Sequence, residues 1–255
     1  MADAQQLMLG ESPVQGLERE YAPGSEAIHT HDEHAQVMYI VRGSMTVSTR
    51  EGIWVLPPHR ALWIPAGTPH MFTHSRPISL RAVYVHRDAI GIPQWTRCSV
   101  LNVSSLVREL IIACAQLPAT YERDSRESRL GMVLLEHLEL LQQDTYYLPE
   151  PTDKRALKAV SLIKENPTDF RPIKDIAHAV GASARTLERV FSSQTGMGFG
   201  AWRLRLRMMI ALESLAAGES VGTTAAAIGY ESSSSFIAAF RTVFGCSPAK
   251  YFTKQ

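Results

Sequence analysis

The spacing of hydrophobic and polar residues divides the chain into two parts. From Ala27 to about His86, short apolar runs alternate with polar residues and stop at glycine or proline, which is typical of β-strands. After Asn102, apolar residues recur at every third or fourth position, which is the period of an α-helix. The pattern predicts an antiparallel β-sandwich or small barrel followed by helices. The predicted strands cover residues 36–41, 45–49, 53–56, 61–64 and 78–85.

Two helices are predicted directly after the barrel. The first starts at a Ser104 cap and is closed by Pro118, and the second has leucines at positions 130, 134 and 138. Both helices have apolar residues on two flanks. Either one flank covers the barrel while the other meets a second subunit, or both flanks belong to the internal core.

A proline-containing segment separates these helices from a nearly all-helical C-terminal part. Pro149 and Pro151 break helical structure and have polar neighbours, so residues 146–153 are predicted to form a linker. The helices predicted beyond it cover residues 154–166, 173–180, 184–195, 199–217, 221–228 and 232–244, with a short last helix after Pro248.

One supersecondary unit occurs twice in this helical part, at about residues 173–195 and 221–244. Each copy has an amphipathic helix, then a glycine, Gly181 or Gly229, and then a second helix. A helix-turn-helix requires this order, and its second helix presents an outer face to the major groove of DNA. The repeat therefore predicts two helix-turn-helix units.

The outward residues of the two second helices differ in chemistry. Arginine can bond bidentately to guanine and glutamate can accept from cytosine, so the first set can read base edges. The small and apolar residues of the second set can touch phosphates or a thymine methyl group but offer little directional readout. The first set is Arg185, Thr186, Glu188 and Arg189, and the second set is Ser233, Ser234, Ile237 and Ala238.

The charge distribution supports double-stranded DNA as the partner of the C-terminal part. Residues 1–150 have a net charge of −5 and the remaining residues have +6, although the whole chain has only +1. A basic domain is suited to a polyanion. The alternative is a plain helical bundle with a solvated basic face, but charge, repeat and motif order agree on DNA binding.

Residues from roughly 156 to 252 resemble the C-terminal domain of the AraC/XylS family of bacterial transcription regulators. The resemblance implies two helix-turn-helix units joined by one long helix, and it places the base-reading positions in the two sets of outward residues named above. The second set departs from family members that have Gln or Arg there. The segments that carry the resemblance are residues 173–181, 187–191, 195–196, 199–207, 225–230, 236–240 and 244–251.

The N-terminal part resembles the cupin family in two histidine motifs, which contain His29-Thr-His31 followed by Gln36, and Pro65-Ala-Gly67-Thr-Pro-His70. Side chains two apart on a strand point to one face, so the first two histidines are predicted to face together, with the third reaching them from a neighbouring strand. Three imidazoles and an amide oxygen, where metal-binding cupins usually have Glu, suit a divalent transition metal such as Zn, Ni, Fe or Mn. Alternatively, the barrel is metal-free and its histidines form hydrogen bonds in a polar cavity or bind an organic effector directly. The predicted ligands are His29, His31, Gln36 and His70.

Composition narrows the class of protein. The 255 residues are 45% hydrophobic and 20% charged, as in ordinary globular domains. No apolar stretch approaches the roughly 18 residues that a membrane helix needs, and residues 1–10 lack an export signal, so we expect a cytoplasmic protein without a membrane partner. The three cysteines are widely separated, which argues against disulfides and cysteine zinc sites.

The sequence thus predicts an α+β protein of two domains. Residues 1–145 form a cupin-type β-barrel (about 11–100) with helices (about 104–143), and residues 154–255 form an all-α double helix-turn-helix domain. We expect a homodimeric, sequence-specific transcription regulator that responds to a small-molecule effector bound in the barrel. The alternative is a metal-dependent cupin dioxygenase or isomerase fused to a DNA-binding domain, but an enzyme would not need the C-terminal hundred residues. A purely architectural DNA-binding protein would leave the histidines unexplained.

Overall fold

The computed structural model describes residues 12–144 and 147–253. The chain divides into two compact units after residue 146, with Arg50–Val55 grouped with the C-terminal unit. The predicted domain end at residue 145 and the predicted absence of an export signal at residues 1–10 both fall outside the described residues.

Two β-sheets make up most of the N-terminal part. One has the strand order β1-β8-β3-β6-β9-β10 and the other has the order β2-β7-β4-β5. Neighbours such as β1 and β8, or β4 and β7, are antiparallel. The strands are β1 Val14–Tyr21, β2 Gly24–Ser25, β3 His34–Arg42, β4 Met45–Thr49, β5 Ile53–Leu56, β6 Arg60–Ile64, β7 His70–His74, β8 Ile78–His86, β9 Ser99–Asn102 and β10 Gln143–Asp144.

The five predicted strands are present as β3, β4, β5, β6 and β8, whereas β1 lies in a stretch for which no strand was predicted. Strand β1 is an edge strand rich in charged residues, so it lacks a strong apolar signal. Its charges are matched across the sheet instead: Arg81 of β8 forms an ion pair of 2.7 Å with Glu18, and Ser79 donates to Glu20 at 2.6 Å. Tertiary pairing therefore decides this strand.

Two helices cover the outer face of the larger sheet. They are α1, Ser105–Cys114, and α2, Arg126–Glu139, each with a serine N-cap as the sequence predicted for the first. Their buried flank packs on alternate sheet residues such as Val37 and Val83 in one core cluster. At Gly16 of β1, a Cβ atom would collide with the carbonyl oxygen of Cys114, so glycine permits the close approach of the end of α1.

The C-terminal unit is helical beyond the linker, and each predicted helix is present with ends that differ by at most one residue. The differences arise because a predicted terminal residue is a cap, as at Asn166 and Ser232. The helices are α3 Lys154–Glu165, α4 Ile173–Ala179, α5 Ala184–Thr195, α6 Phe199–Ala216, α7 Val221–Ala227, α8 Ser233–Phe244 and α9 Pro248–Thr253. No described helix combines the length and apolar character that crossing a membrane requires.

The turns of the two predicted helix-turn-helix units have the same geometry. Gly181 between α4 and α5 has φ 70°, and Gly229 between α7 and α8 has φ 85°. In each unit the residue after the glycine donates its N–H to the carbonyl five residues back, Ala182 at 2.8 Å and Tyr230 at 2.9 Å. Because positive φ is accessible mainly to glycine, the repeated glycines are required by the turn.

The linker is held within the C-terminal unit by direct hydrogen bonds. Leu148 exchanges two backbone hydrogen bonds with Ile53, of 2.8 and 2.9 Å. The carbonyl of Pro149 accepts a bond of 2.7 Å from the indole N–H of Trp202 in α6. Both Leu148 and Trp202 are fully buried, so this part of the linker has a fixed conformation.

Candidate functional site

His29, His31 and His70 come together in the N-terminal unit. One ring nitrogen from each lies within 4.8 Å of the other two, and the ring centroids of His29 and His70 are 4.3 Å apart. The cause is a backbone bridge, because His29 and His70 exchange two hydrogen bonds of 2.9 Å. The structure therefore brings together the three histidines that the sequence analysis singled out.

The first two histidines do not lie on a regular strand, and that part of the prediction is wrong. They lie in the segment between β2 and β3, which bonds to β7 through the Glu26 N–H, at 2.9 Å from the Phe72 carbonyl oxygen, and through the bridge at His29. Regular pairing does not continue past His70, because the chain forms a turn at Ala66 and Gly67. The carbonyl of His31 accepts from Gly67 instead, at 2.9 Å.

Backbone carbonyls fix the orientation of two of the imidazoles. Nδ1 of His29 lies 2.9 Å from the carbonyl oxygen of Ala27, and Nδ1 of His70 lies 2.9 Å from that of Thr68. A carbonyl can only accept, so each Nδ1 bears the proton and each Nε2 retains its lone pair. Nε2 of His70 and Nε2 of His31 are buried and have no hydrogen-bond partner among the described residues. Histidines that ligate metals are usually oriented by such a second hydrogen bond.

Burial keeps the imidazoles of His31 and His70 uncharged. It lowers the pKa of His31 to about 3, with smaller contributions from the neighbouring histidines. It also lowers the pKa of His70 to about 4, partly opposed by the bond to Thr68. Neutral imidazole is the form that binds metal ions, so the cluster is ready to accept a cation near neutral pH.

Gln36, the fourth predicted ligand, lies on β3 opposite Tyr84 of β8. Its Nε2 donates to the Tyr84 hydroxyl at 3.2 Å, while its Oε1 is buried and has no described partner. A buried oxygen without a hydrogen-bond partner is stabilised by a nearby cation or hydrogen-bond donor. Gln36 lines the same pocket as His29.

That pocket lies between the two sheets. Its polar lining includes Arg19, Glu26 and Tyr84. Its apolar lining is Leu17 and Leu80 from the larger sheet and Phe72 from the smaller one. The mixed lining suits a small organic ligand.

Tyr84 and Arg19 were not predicted from the sequence. Tyr84 lies opposite Gln36 and Arg19 lies opposite Leu80, so strand alternation places them once the pairing register is known. The pairing register itself is not readable from one sequence. Of the other histidines in this part of the chain, His34 and His74 are buried.

The first candidate DNA-reading surface is the outer face of α5. Leu187 and Phe191 are buried beneath it, whereas Arg185, Glu188 and Arg189 are exposed, as expected from the helical period. No ion pair involves these arginines within the described chain. Their charges therefore face solvent and are available to a polyanion. Thr186 is less free, because Ser183 caps the helix through a 3.1 Å bond to the Thr186 N–H and lies 2.9 Å from its hydroxyl.

Glu188 lies close to the start of α6. A Cβ atom built on Gly198, the residue that caps α6, would lie 2.7 Å from Glu188 Oε1. A carboxylate near a helix N-terminus is stabilised by the helix dipole. Glu188 thus has a structural neighbour in addition to the base-reading role predicted from its position.

The second candidate surface is the outer face of α8. Phe236 and Phe240 anchor the helix in the core, and Ser233, Ser234 and Ala238 are exposed, with Ile237 half-buried. Its charged residue in the last turn is Arg241. The face is therefore small and uncharged where α5 has arginines.

Two family models match the chain, one in each unit. A model described as an AraC-like ligand binding domain matches residues 16–135, and one described as a helix-turn-helix domain matches residues 154–254. The chain belongs to the AraC family of transcription regulators. It is a DNA-binding regulator with a sheet-rich N-terminal ligand-binding domain and a helical C-terminal domain, which confirms the predicted family, fold class and function.

Curated relatives in the AraC family agree with this assignment. The HTH-type transcriptional regulator NimR of Escherichia coli K12 is 28% identical over 227 residues, which are 89% of this chain and 82% of NimR. The HTH-type transcriptional regulator RipA of Corynebacterium glutamicum is 34% identical over 107 residues, which are 42% of this chain and 32% of RipA. A solved structure of Vibrio cholerae ToxT with bound unsaturated fatty acid covers 95% of both chains at 12% identity and a TM-score of 0.39. At that TM-score, the overlap does not relate the ligand sites of the two proteins.

Proposed function

We propose that this regulator reads its operator mainly through the first helix-turn-helix unit and uses the second to anchor itself on the DNA backbone. The observation that carries the proposal is the contrast between the exposed arginines of α5 and the uncharged face of α8. The direct base readers are Arg185 and Arg189, because arginine has the bidentate geometry that guanine requires. Thr186 and Glu188 complete the first face.

An operator footprint tests this arrangement. The 18-residue helix α6 connects the two helix-turn-helix units. Because α6 is one continuous helix, the recognition helices α5 and α8 should enter successive major grooves. We expect each subunit to protect two half-sites about 10 base pairs apart. A protected region of a single half-site would contradict the proposed use of both units.

We further propose that the N-terminal domain is of cupin type and binds a divalent transition metal, Zn, Ni, Fe or Mn, through His29, His31, His70 and Gln36. The convergent histidines, the buried Nε2 atoms of His31 and His70, which have no described partner, and the buried oxygen of Gln36 fit such an ion. The ion would supply a Lewis-acid contact to a ligand in the adjoining pocket.

Metal analysis of the purified full chain tests this site. We expect about one zinc ion per chain after equilibration with zinc, and loss of that zinc in His31→Ala, because one of four protein ligands is removed. His74→Ala is the matched control, since His74 is also buried but its ring bonds to the Arg76 carbonyl outside the cluster. Full zinc content in His31→Ala would leave the histidines with a structural role.

We also propose that a homodimer forms through the helical face that the barrel leaves uncovered. Leu106 of α1 is 54% exposed, and Met132 and Val133 of α2 are 46% and 39% exposed. A second copy would cover them. Sedimentation analysis should show a dimer that Leu106→Glu with Val133→Glu converts to a monomer, while Arg126→Gln at the start of α2 leaves it intact. A dimer that survives the double substitution would place the interface elsewhere.

A regulator without catalytic activity accounts for both domains. The curated relatives are transcriptional regulators, and the pocket is suited to binding a small-molecule effector. Effector binding in the N-terminal domain would then shift the affinity of the C-terminal domain for DNA.

A further inference from the structure

The proposed metal ligands share an electrostatic property: none of them would bring a negative charge to the ion. Imidazole ligates a metal ion in its neutral form, and the side chain of Gln36 ends in an uncharged amide. A divalent ion held by neutral donors would keep both of its charges in a largely buried place. Uncompensated buried charge is costly, so the site favours an anionic partner for the ion.

The side chains that line the adjoining pocket add no net negative charge. Among the described residues that line it, Glu26 is the carboxylate and Arg19 is the guanidinium, so the lining is neutral as a whole. Because His29 and Gln36 line the pocket as well, a molecule in it would lie next to the ion. The missing negative charge therefore has to come from the occupant of the pocket.

Tyr84 provides a second, independent feature that favours an anion. Its hydroxyl oxygen accepts from Gln36 Nε2, and no described hydrogen bond uses its own proton. The residue is 2% exposed, so water does not reach this hydroxyl freely. A buried hydroxyl with an unused proton favours an oxygen acceptor on the ligand.

The rest of the lining indicates the body of the ligand. Leu17, Leu80 and Phe72 present hydrocarbon to the pocket. From these features we infer that the effector is a small carboxylate with a compact apolar body, whose carboxylate lies between the ion and Tyr84. This inference rests on the proposed metal site and adds the chemical class of its ligand.

Three probes that share a ring and differ in charge test the inference: cyclohexanecarboxylate, cyclohexanecarboxamide and cyclohexylmethylamine. Calorimetry on the zinc-loaded full chain should show the carboxylate binding at least about tenfold more tightly than the amide, and no binding of the amine. Removal of zinc with a chelator should abolish the preference for the carboxylate.

The possible results distinguish a failure of the metal site from a failure of the inferred carboxylate effector. If zinc alone does not bind the full chain, the proposed metal site fails and the inference fails with it. If zinc binds but the amide or the amine binds as well as the carboxylate, the metal site stands and the inference is overturned. Equal carboxylate binding with and without zinc overturns it too.

Substitution of Gln36 should change the zinc and carboxylate affinities in opposite directions, which a purely structural role would not produce. Gln36→Glu gives the ion an anionic ligand, so zinc should bind at least about tenfold more tightly and the carboxylate at least about tenfold more weakly. Gln142→Glu, at an exposed residue that does not line the pocket, should change neither affinity. Unchanged carboxylate binding in Gln36→Glu would overturn the inference.

Tyr84→Phe keeps the ring and removes the donor, and it remains informative if Gln36→Glu does not fold. The carboxylate should bind about tenfold more weakly, while zinc binds as in the unmodified chain. Carboxylate affinity that does not change in Tyr84→Phe would remove the hydroxyl from the proposal and overturn the predicted ligand class.

Discussion

Arg189 shows how a single residue can separate base reading from general attraction to DNA. It is exposed on α5 and forms no described ion pair, so its guanidinium is free to pair with a base edge. We expect Arg189→Ala to lose about 1 to 3 kcal/mol of binding free energy on the cognate operator and little on random DNA. Fluorescence anisotropy on both DNAs measures the difference.

A charge control completes this comparison. Arg123→Ala removes the same charge from an exposed position in the N-terminal part and should leave operator affinity unchanged. If Arg189→Ala weakens binding to both DNAs equally, Arg189 contacts phosphate and the base-reading role belongs to another residue of α5.

Among the structural elements, the two helix-turn-helix turns should lose different amounts of stability when their glycine is replaced by alanine. Both glycines have positive φ, so alanine costs about 1 to 2 kcal/mol at either position. At Gly181 a Cβ atom meets nothing within 4 Å, whereas at Gly229 it would lie 2.5 Å from the Phe170 ring. That ring lies 3.6 Å from the Arg207 guanidinium and would have to shift away from this contact.

We therefore expect Gly229→Ala to reduce the free energy of unfolding by more than Gly181→Ala does. Urea unfolding of the full chain, followed by circular dichroism, compares the two variants. Equal losses would mean that the Phe170 ring yields to the added methyl group and that the backbone conformation accounts for the whole effect.

Base changes in the operator should weaken binding by different amounts in the half-sites contacted by α5 and α8. The face of α8 offers serine, alanine and half-buried isoleucine, which contact backbone or a thymine methyl group. Single base changes should cost about 1 to 3 kcal/mol in the half-site read by α5 and less in the other. Binding measurements at every operator position test this expectation, and discrimination confined to the α8 half-site would reverse the roles.

For the whole molecule, regulation is a coupling between ligand binding and DNA binding. A ligand shifts such an equilibrium only through its differential affinity for the two states, so we expect the effector to change operator affinity by about 1 to 3 kcal/mol. Operator titrations with and without effector measure this coupling.

Loss of the ligand site should remove the response without removing the DNA-binding function. His31→Ala should bind the operator as the unmodified chain does when no effector is present, and should respond poorly to the effector. A promoter assay in which His31→Ala responds fully would show that the effector acts outside the histidine cluster.

The helical half was predictable because its determinants are local. The helix boundaries follow from caps and from the apolar period, and the Gly181 and Gly229 turns follow from a conformation that glycine favours. These interactions act over a few residues, so the sequence contains nearly all the information. Glu188 is the exception, because its approach to Gly198 depends on how α5 packs beside α6.

The N-terminal half shows what only the tertiary structure decides. The sequence by itself predicted that histidines 29, 31 and 70 form one cluster. It also predicted that a β-rich domain precedes the DNA-binding domain. The edge strand β1, the bridge between His29 and His70, and the pairing of Gln36 with Tyr84 depend on contacts between residues far apart in the chain. Strand register is set by the packing of both faces together, and it is this register that assembles the pocket.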